Sequence, residues 1–488
     1  MQLFIASRKQ FSLLAGRFFQ FEKNPTTRIL EMIREGIATN ISRRSLLRHS
    51  GAGFGAVALA GILGKNARSQ QPSQTSLLQS KQPHFAAKAK RIIFVFLEGA
   101  MSSLDTWEYK PELQKSDGKV GAGGGTLVGS KFKFQQHGET GTWVSELFPH
   151  TAHHVDKLCF LRGLHTDTPA HPQAVIQLHT GAANATLTRP SFGAWVVYGL
   201  GTENEELPGF ITINPPPNFG GAINYGSAFL PAHYQGTKIT DTGYLPNLKP
   251  SLATKLQRQQ IDFLQALHRE QAKSPSAPDT LDGIIQSYEQ AFTMQQKVPD
   301  LLNLQSEPQH ILDLYGVKDG PEGSFARQCL MARRLSEAGV RFVEICDPGW
   351  DHHNNLHKGL VNRSRSVDQP LAALLHDLEQ RGLLDDTLVL FGSEFGRLPH
   401  AQGPDGRDHN ITGYMMWLAG AGVKAGYSYG ATDELGRHAI DGRLHTTDLH
   451  ATLLALLGLD HESLTYPYAG REFRLTDVAG NVAKDIFS

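Results

Sequence analysis

The chain has 488 residues, enough for one large α/β domain or two smaller ones behind an N-terminal leader. Basic and acidic residues balance at 47 each, yet residues 1–69 hold eleven basic and three acidic ones, so the remainder is acidic by eight; this argues against nonspecific nucleic-acid binding. Cys159, Cys329 and Cys346 form no C-x-x-C pair, which argues against a thiolate zinc site and for buried free thiols.

Ser42-Arg43-Arg44-Ser45-Leu46-Leu47-Arg48 precedes an apolar run over residues 51–63, and Ala67-Arg68-Ser69 offers a small-x-small cleavage site. Residues 1–69 are therefore read as an N-terminal extension with a twin-arginine export signal, and a periplasmic or extracellular destination is expected. The run is shorter than the roughly 20 residues a spanning helix needs, so no stable transmembrane anchor is expected. Residues 70–90, rich in Gln, Ser and Lys, read as a linker to one domain over 91–488.

The first strand, residues 92–97, runs into Glu98 and then Asp105. The Gly-rich residues 120–129 resemble a phosphate-cradling loop only superficially and predict a surface hairpin. Residues 145–155 predict a helix. A second strand over 158–161 runs into His165, Asp167 and His171. Pro172 and Gly181 mark the start and stop of the next helix, whose free amino-end N–H groups suit an anion. Residues 184–243 are loop-rich. Helical spacing over 250–273 and 280–297, with Leu252, Leu256, Phe263, Leu264 and Leu267 as candidate buried positions, predicts a helical insertion at about 244–312. Helices over 324–338 and 371–380 feed strands over 340–345 and 388–391. This alternation predicts a mostly parallel, doubly wound sheet.

Four strands end in Asp, Glu or His, and ligands of open α/β sheets sit outside the carboxyl ends of strands. One shared polar site, a metal site, is expected there. Asp351 and His353 are two apart, so an extended segment points both the same way; His352 is the alternative to His353, and a surface turn the alternative to both. Glu394, His409 (oriented by Asp408) and Asp105 complete the expected ligands. Their rival roles are an ion pair of Glu394 with Arg397 and a turn cap by Asp105. Glu98, His445 and His450 are further candidates with structural alternatives. Arg397 and Arg407 are expected to bind an anionic ester group unless they are merely solvated. Mixed oxygen and nitrogen ligands suit a divalent metal: zinc, manganese, magnesium or calcium.

Taken together, the leader, Leu147-Phe148-Pro149-His150, Gly349-Trp350-Asp351-His352-His353, the residues 391–397, Gly406-Arg407-Asp408-His409 and Asp448-Leu449-His450-Ala451-Thr452 resemble the DUF1501 family over roughly residues 40–488. That family is similar to the alkaline phosphatase and sulfatase superfamily. The resemblance implies a three-layer α/β/α sandwich and metal-dependent hydrolysis of sulfate or phosphate esters, with an anionic ester or polysaccharide as substrate. It places the nucleophile at the start of the helix ending in Thr180-Gly181, a position that falls on or near His171. Histidine cannot become formylglycine, so a standard type I sulfatase is excluded. Thr168 as a hydroxyl nucleophile, direct attack by water, and His171 as ligand or acid/base group stay open. The alternative from another class is a non-catalytic envelope protein that keeps the fold and a structural metal to bind a glycan or partner.

Overall fold

A computed structural model describes residues 78–121, 124–183, 186–246, 248, 252–272, 281–318 and 323–488. The expected export signal and the first part of the linker, residues 70–77, lie outside them. Among the described residues, no helix is long and apolar enough to cross a membrane.

A nine-stranded sheet forms the centre. In chain order its strands are β1 (Arg91–Glu98), β2 (Leu158–His165), β3 (Phe210–Ile213), β4 (Thr237–Ile239), β5 (Phe342–Pro348), β6 (Thr387–Gly392), β7 (Tyr414–Gly420), β8 (Tyr427–Tyr429) and β9 (Leu444–His445). The spatial order is β8-β2-β7-β6-β1-β5-β3-β4, with β9 also paired to β2. Only β7 runs antiparallel to its neighbours; the pairs β1/β5, β1/β6, β3/β5, β3/β4, β2/β8 and β2/β9 are parallel. The expected mixed α/β architecture with a mostly parallel sheet is therefore present.

Alternation along each strand explains the layers. Ile93, Val95 and Leu97 join Val343, Ile345, Val389 and Phe391 in one apolar cluster. Ile92, Phe94 and Phe96 join Phe342, Cys346, Leu388 and Leu390 in another. The first is covered by α6 (Phe325–Glu337) and α7 (Leu356–Gln380), whose buried residues include Leu330, Leu335, Leu371 and Leu375. The second is covered by α1 (His171–Thr180), α2 (Phe192–Leu200) and α8 (Thr446–Leu456). With both faces buried, the central strands have to read as near-continuous apolar runs. All three cysteines are free and buried, as expected.

Several expected boundaries shift. Residues 142–145 are a strand and 151–157 a 3-10 turn, rather than one helix over 145–155. Helix α7 starts fifteen residues before 371 and carries Pro370 inside it; that proline suggests a helix start by sequence alone because it removes one backbone donor. Helices α3 (Thr254–Ala272) and α4 (Leu281–Leu302) lie where helices are expected, with the short α5 (Gln309–Tyr315) after them. Leu252 and Leu256, however, are exposed, Phe263, Leu264 and Leu267 are half-buried, and within α3 Ile261 is the buried apolar position.

Candidate metal centre

Five chain segments meet at the carboxyl edge of the sheet. Asp351 and His353 follow β5. His171 opens α1, which begins with proline in its first turn and stops at Gly181 in the left-handed conformation (φ 77°). Glu394 follows β6 after Ser393, whose hydroxyl donates to Leu97 O at 2.5 Å and accepts from Met101 N–H at 3.1 Å. Arg397 and His409 sit opposite one another on a hairpin, Gly396–Gln402 paired with Gly406–Asn410. Gly99, after β1, lets this turn press on the Asp351 backbone. Its φ is +111°, and a Cβ there would stand 2.5 Å from Asp351 N.

Ligand atoms of His171, Asp351, His353 and His409 all lie within 4.8 Å of one another. Asp351 Oδ1 is the shared point: the Nε2 atoms of His353, His171 and His409 lie 2.8, 3.3 and 3.6 Å from it. The opposite ring nitrogens are all committed. His171 Nδ1–H donates to Glu394 Oε1 at 2.6 Å, His409 Nδ1–H to Pro169 O at 2.6 Å, and His353 Nδ1–H to Gln402 Oε1. Glu394 is itself held by Gly99 N–H, at 3.0 and 3.3 Å. Metal-ligating imidazoles characteristically donate their other N–H to such acceptors.

The free nitrogens are left in a position that suits a cation. His171 Nε2 is buried without an aligned hydrogen bond, its approach to Asp351 being one of proximity. His353 Nε2 and His409 Nε2 stand 2.8 Å apart. With both Nδ1 protons in place, that contact sets lone pair against lone pair unless a proton or cation lies between them. Donors on a tetrahedral ion at about 2.1 Å stand roughly 3.4 Å from one another, close to the separations found around Asp351. The residues present therefore fit a divalent ion, and the exposed side of Asp351 leaves the cluster open to solvent.

Electrostatics reinforce this. Burial works to raise the Asp351 carboxyl, but His171, His409 and Arg397 outweigh it and hold it far below the usual carboxylate range. Burial works to lower His171, yet the Asp351 and Glu394 carboxylates lift it to about 9. Burial raises Glu98 to about 7, helped by Glu394 and opposed by His171. The consequence for the metal-free protein follows from linkage. A pKa raised on folding contributes stability below the unfolded value and loses it as pH rises through the folded one. Stability should fall over pH 4.5–7 through Glu98 and over pH 6.5–9 through His171, the latter by about 3 kcal/mol. Urea denaturation across pH 6–9 should show the second loss, and His171→Gln should flatten it. A profile unchanged by that substitution would mean that His171 is not held protonated.

The other expected residues separate. Asp105 is not in the cluster: its buried carboxylate pairs with Arg407 at 2.8 and 3.3 Å and accepts from Ser102 Oγ at 2.6 Å. Arg407, fully buried in that pair, is not free for an anionic substrate. Neither is Arg397, whose buried guanidinium donates to Gly99 O (2.6 Å), Ala100 O (2.9 Å), Arg407 O (3.1 Å) and Asp351 Oδ1 (2.6 Å). Binding an anionic ester needs free guanidinium donors, and burial has instead consumed them within the protein. Glu394 is a partner of His171 and lies outside the four-residue set. Thr168 Oγ1 accepts from Ala170 N–H at 3.3 Å. His352 is buried away from the cluster, against Gly359, and burial lowers it to about 4. His445 caps α8 and meets Asp167 at 3.1 Å, and His450 bonds Leu178 O at 2.8 Å. Asp347 accepts from Trp350 Nε1 at 2.9 Å.

Gln402 and the Pro169 carbonyl are the contributors that sequence reasoning missed; an amide and a backbone oxygen carry no distinguishing signal. The buried pair of His179, on α1, and Glu344, on β5, 3.2 Å apart, was missed as well, because neither residue follows a strand end.

No curated protein matches this chain in sequence. Among solved structures it is similar to the lipoteichoic acid synthase LtaP from Listeria monocytogenes, at 10% identity and TM-score 0.37 over 86% of this chain and 80% of that one. It is also similar to an alkaline phosphatase superfamily protein from Vibrio parahaemolyticus, at 11% identity and TM-score 0.35 over 82% and 74%. A third is the PsFucS1 sulfatase from Pseudoalteromonas sp., at 12% identity and TM-score 0.33 over 77% and 68%. These likenesses concern the fold. A family model described as "Protein of unknown function (DUF1501)" matches residues 89–487, and the chain belongs to the DUF1501 family.

Proposed function

We propose that this protein is an exported, metal-dependent hydrolase of sulfate or phosphate esters, acting on an anionic ester or polysaccharide. The observation that carries the reading is the convergence of three imidazole Nε2 atoms on Asp351 Oδ1, each ring having given its other N–H to a fixed acceptor. His171, His353, His409 and Asp351 would hold the ion. Three neutral nitrogens with one carboxylate favour zinc or another late first-row ion over calcium or magnesium, which prefer oxygen. When bound, such an ion polarises an ester oxygen and lowers the pKa of water beside it.

The chain's own groups do the positioning. Glu394 fixes the tautomer and tilt of His171, and Arg397 ties Asp351 to the turn after β1. The amino end of α1, starting at His171, adds the positive end of a helix dipole next to the cluster. Export to the periplasm or beyond is part of the same reading and rests on the twin-arginine pattern.

One observation favours the non-catalytic alternative. Among the described residues, no hydroxyl or thiol side chain hydrogen-bonds to the four clustered residues, and the Thr168 hydroxyl is engaged with its own turn. Metal analysis with aryl sulfate and aryl phosphate assays separates the two. The hydrolase reading expects bound metal and turnover that is lost on chelation. In Glu394→Gln, metal affinity should fall about 10- to 100-fold, because the acceptor orienting His171 loses its charge. Stoichiometric metal with no turnover on a broad ester panel would leave the binding-protein reading standing.

A further inference from the structure

A cavity of about 300 Å³ opens elsewhere on the molecule and shares no lining residue with the metal cluster. Its walls include Glu108, Tyr109, Lys110, Trp143, Arg162 and Tyr427. The hairpin of Phe134–His137 and Thr142–Ser145 brings Trp143 to it. Trp143 is 38% exposed, and behind it Tyr109 stands 4.7 Å away, ring to ring, with Phe134 5.2 Å from Tyr109. An indole supported on one side and open on the other is a rigid platform, costing little entropy when something lies on it.

The polar side is equally fixed. Arg162, on β2, donates through Nε to Ser428 Oγ at 2.9 Å and through Nη1 to Trp107 O at 3.1 Å, and its guanidinium lies 4.7 Å over the Phe160 ring. Its Nη2 has no protein acceptor among the described residues. Glu108 pairs with Lys110 at 3.1 Å and accepts from Thr432 Oγ1. Two cations and one carboxylate leave the cavity one positive charge in excess, carried by an arginine whose side-chain entropy is already spent.

We infer that this cavity is a binding subsite for an acidic saccharide unit, one bearing a sulfate or a carboxylate. The apolar face of a sugar ring lies on Trp143, its hydroxyls meet Glu108 and Lys110, and its anionic group takes the open edge of Arg162. The volume lies at the lower end of the range for small-molecule sites. The subsite is independent of turnover, since a hydrolase and a silent glycan-binding protein would use it alike.

The test is calorimetric titration of the full protein with three oligosaccharide sets: sulfated, uronic-acid-containing and neutral. At least one anionic set should bind, about tenfold or more tighter than the neutral set. Trp143→Ala should weaken that binding by about tenfold, the scale of one lost aromatic contact, while Trp143→Phe should retain most of it. Trp143→Ala should keep the parent's metal content, since the cavity shares no residue with the cluster. Which anionic set binds identifies the charged group. Absence of binding by both anionic sets, equal binding of the neutral set, unchanged affinity in a folded Trp143→Ala protein, or loss of metal together with saccharide binding in Trp143→Ala would each overturn the assignment. The last would place the ligand at the metal cluster.

Discussion

Asp351→Asn should abolish metal binding at the proposed site. Competition with a metal-binding dye should show affinity falling at least about 100-fold below the parent, beyond the 10- to 100-fold range of an outer partner such as Glu394. Any metal-dependent ester hydrolysis should disappear with it. Asp351 Oδ1 is the atom on which three imidazoles and Arg397 Nη2 all converge. The amide keeps the shape but supplies no negative charge, so the cation loses the anionic member of its ligand set.

The substitution has a second signature that does not depend on activity. Without the Asp351 carboxylate, one of the two groups holding His171 near 9 is gone. Its pKa should fall toward the free value, and the stability loss over pH 6.5–9 should shrink. Arg397 retains three backbone carbonyls, so Asp351→Asn should stay folded. An Asp351→Asn protein that keeps full metal occupancy would dismiss the proposed site.

The contrast between what was legible and what was not has a physical basis. Strands β1, β2, β5 and β6 were readable because a sheet covered on both faces needs apolar side chains at successive positions. Asp351, His353, Glu394 and His171 stood out because polar residues soon after such runs lie at one edge of a parallel sheet, whereas His409 stood out through the Gly406-Arg407-Asp408-His409 segment. Pairing was not readable. Asp105 and Arg407 are 302 positions apart and meet only through the placement of the 396–410 hairpin. Local sequence shows a charge but not whether another will neutralise it, so two buried arginines read as contacts for an anionic substrate and a buried aspartate as a ligand.

That hidden pair yields the largest stability effect. Arg407→Met should destabilise the protein by about 3–5 kcal/mol at neutral pH, the range for leaving one partner of a buried ion pair uncompensated. Both side chains are nearly inaccessible, so water cannot replace the missing guanidinium. Burial acts to raise the Asp105 carboxyl, and Arg407 more than reverses it, leaving it below its ordinary value. Such a depressed group contributes stability above its unfolded value and loses it as pH falls. Removing Arg407 inverts the sign: the stranded carboxyl rises and takes up a proton as pH falls, so the penalty in Arg407→Met should be smaller near pH 5 than at pH 7.5. Asp105→Leu combined with Arg407→Met should recover part of the loss, because no buried charge remains. The hairpin held by this pair also carries His409, so the single variant should bind metal more weakly while the double variant regains some affinity. Denaturant titrations at the two pH values decide the matter. If Arg407→Met proves as stable as the parent and changes only the KM for an anionic ester, Arg407 is a substrate contact and the buried pair does not exist in solution.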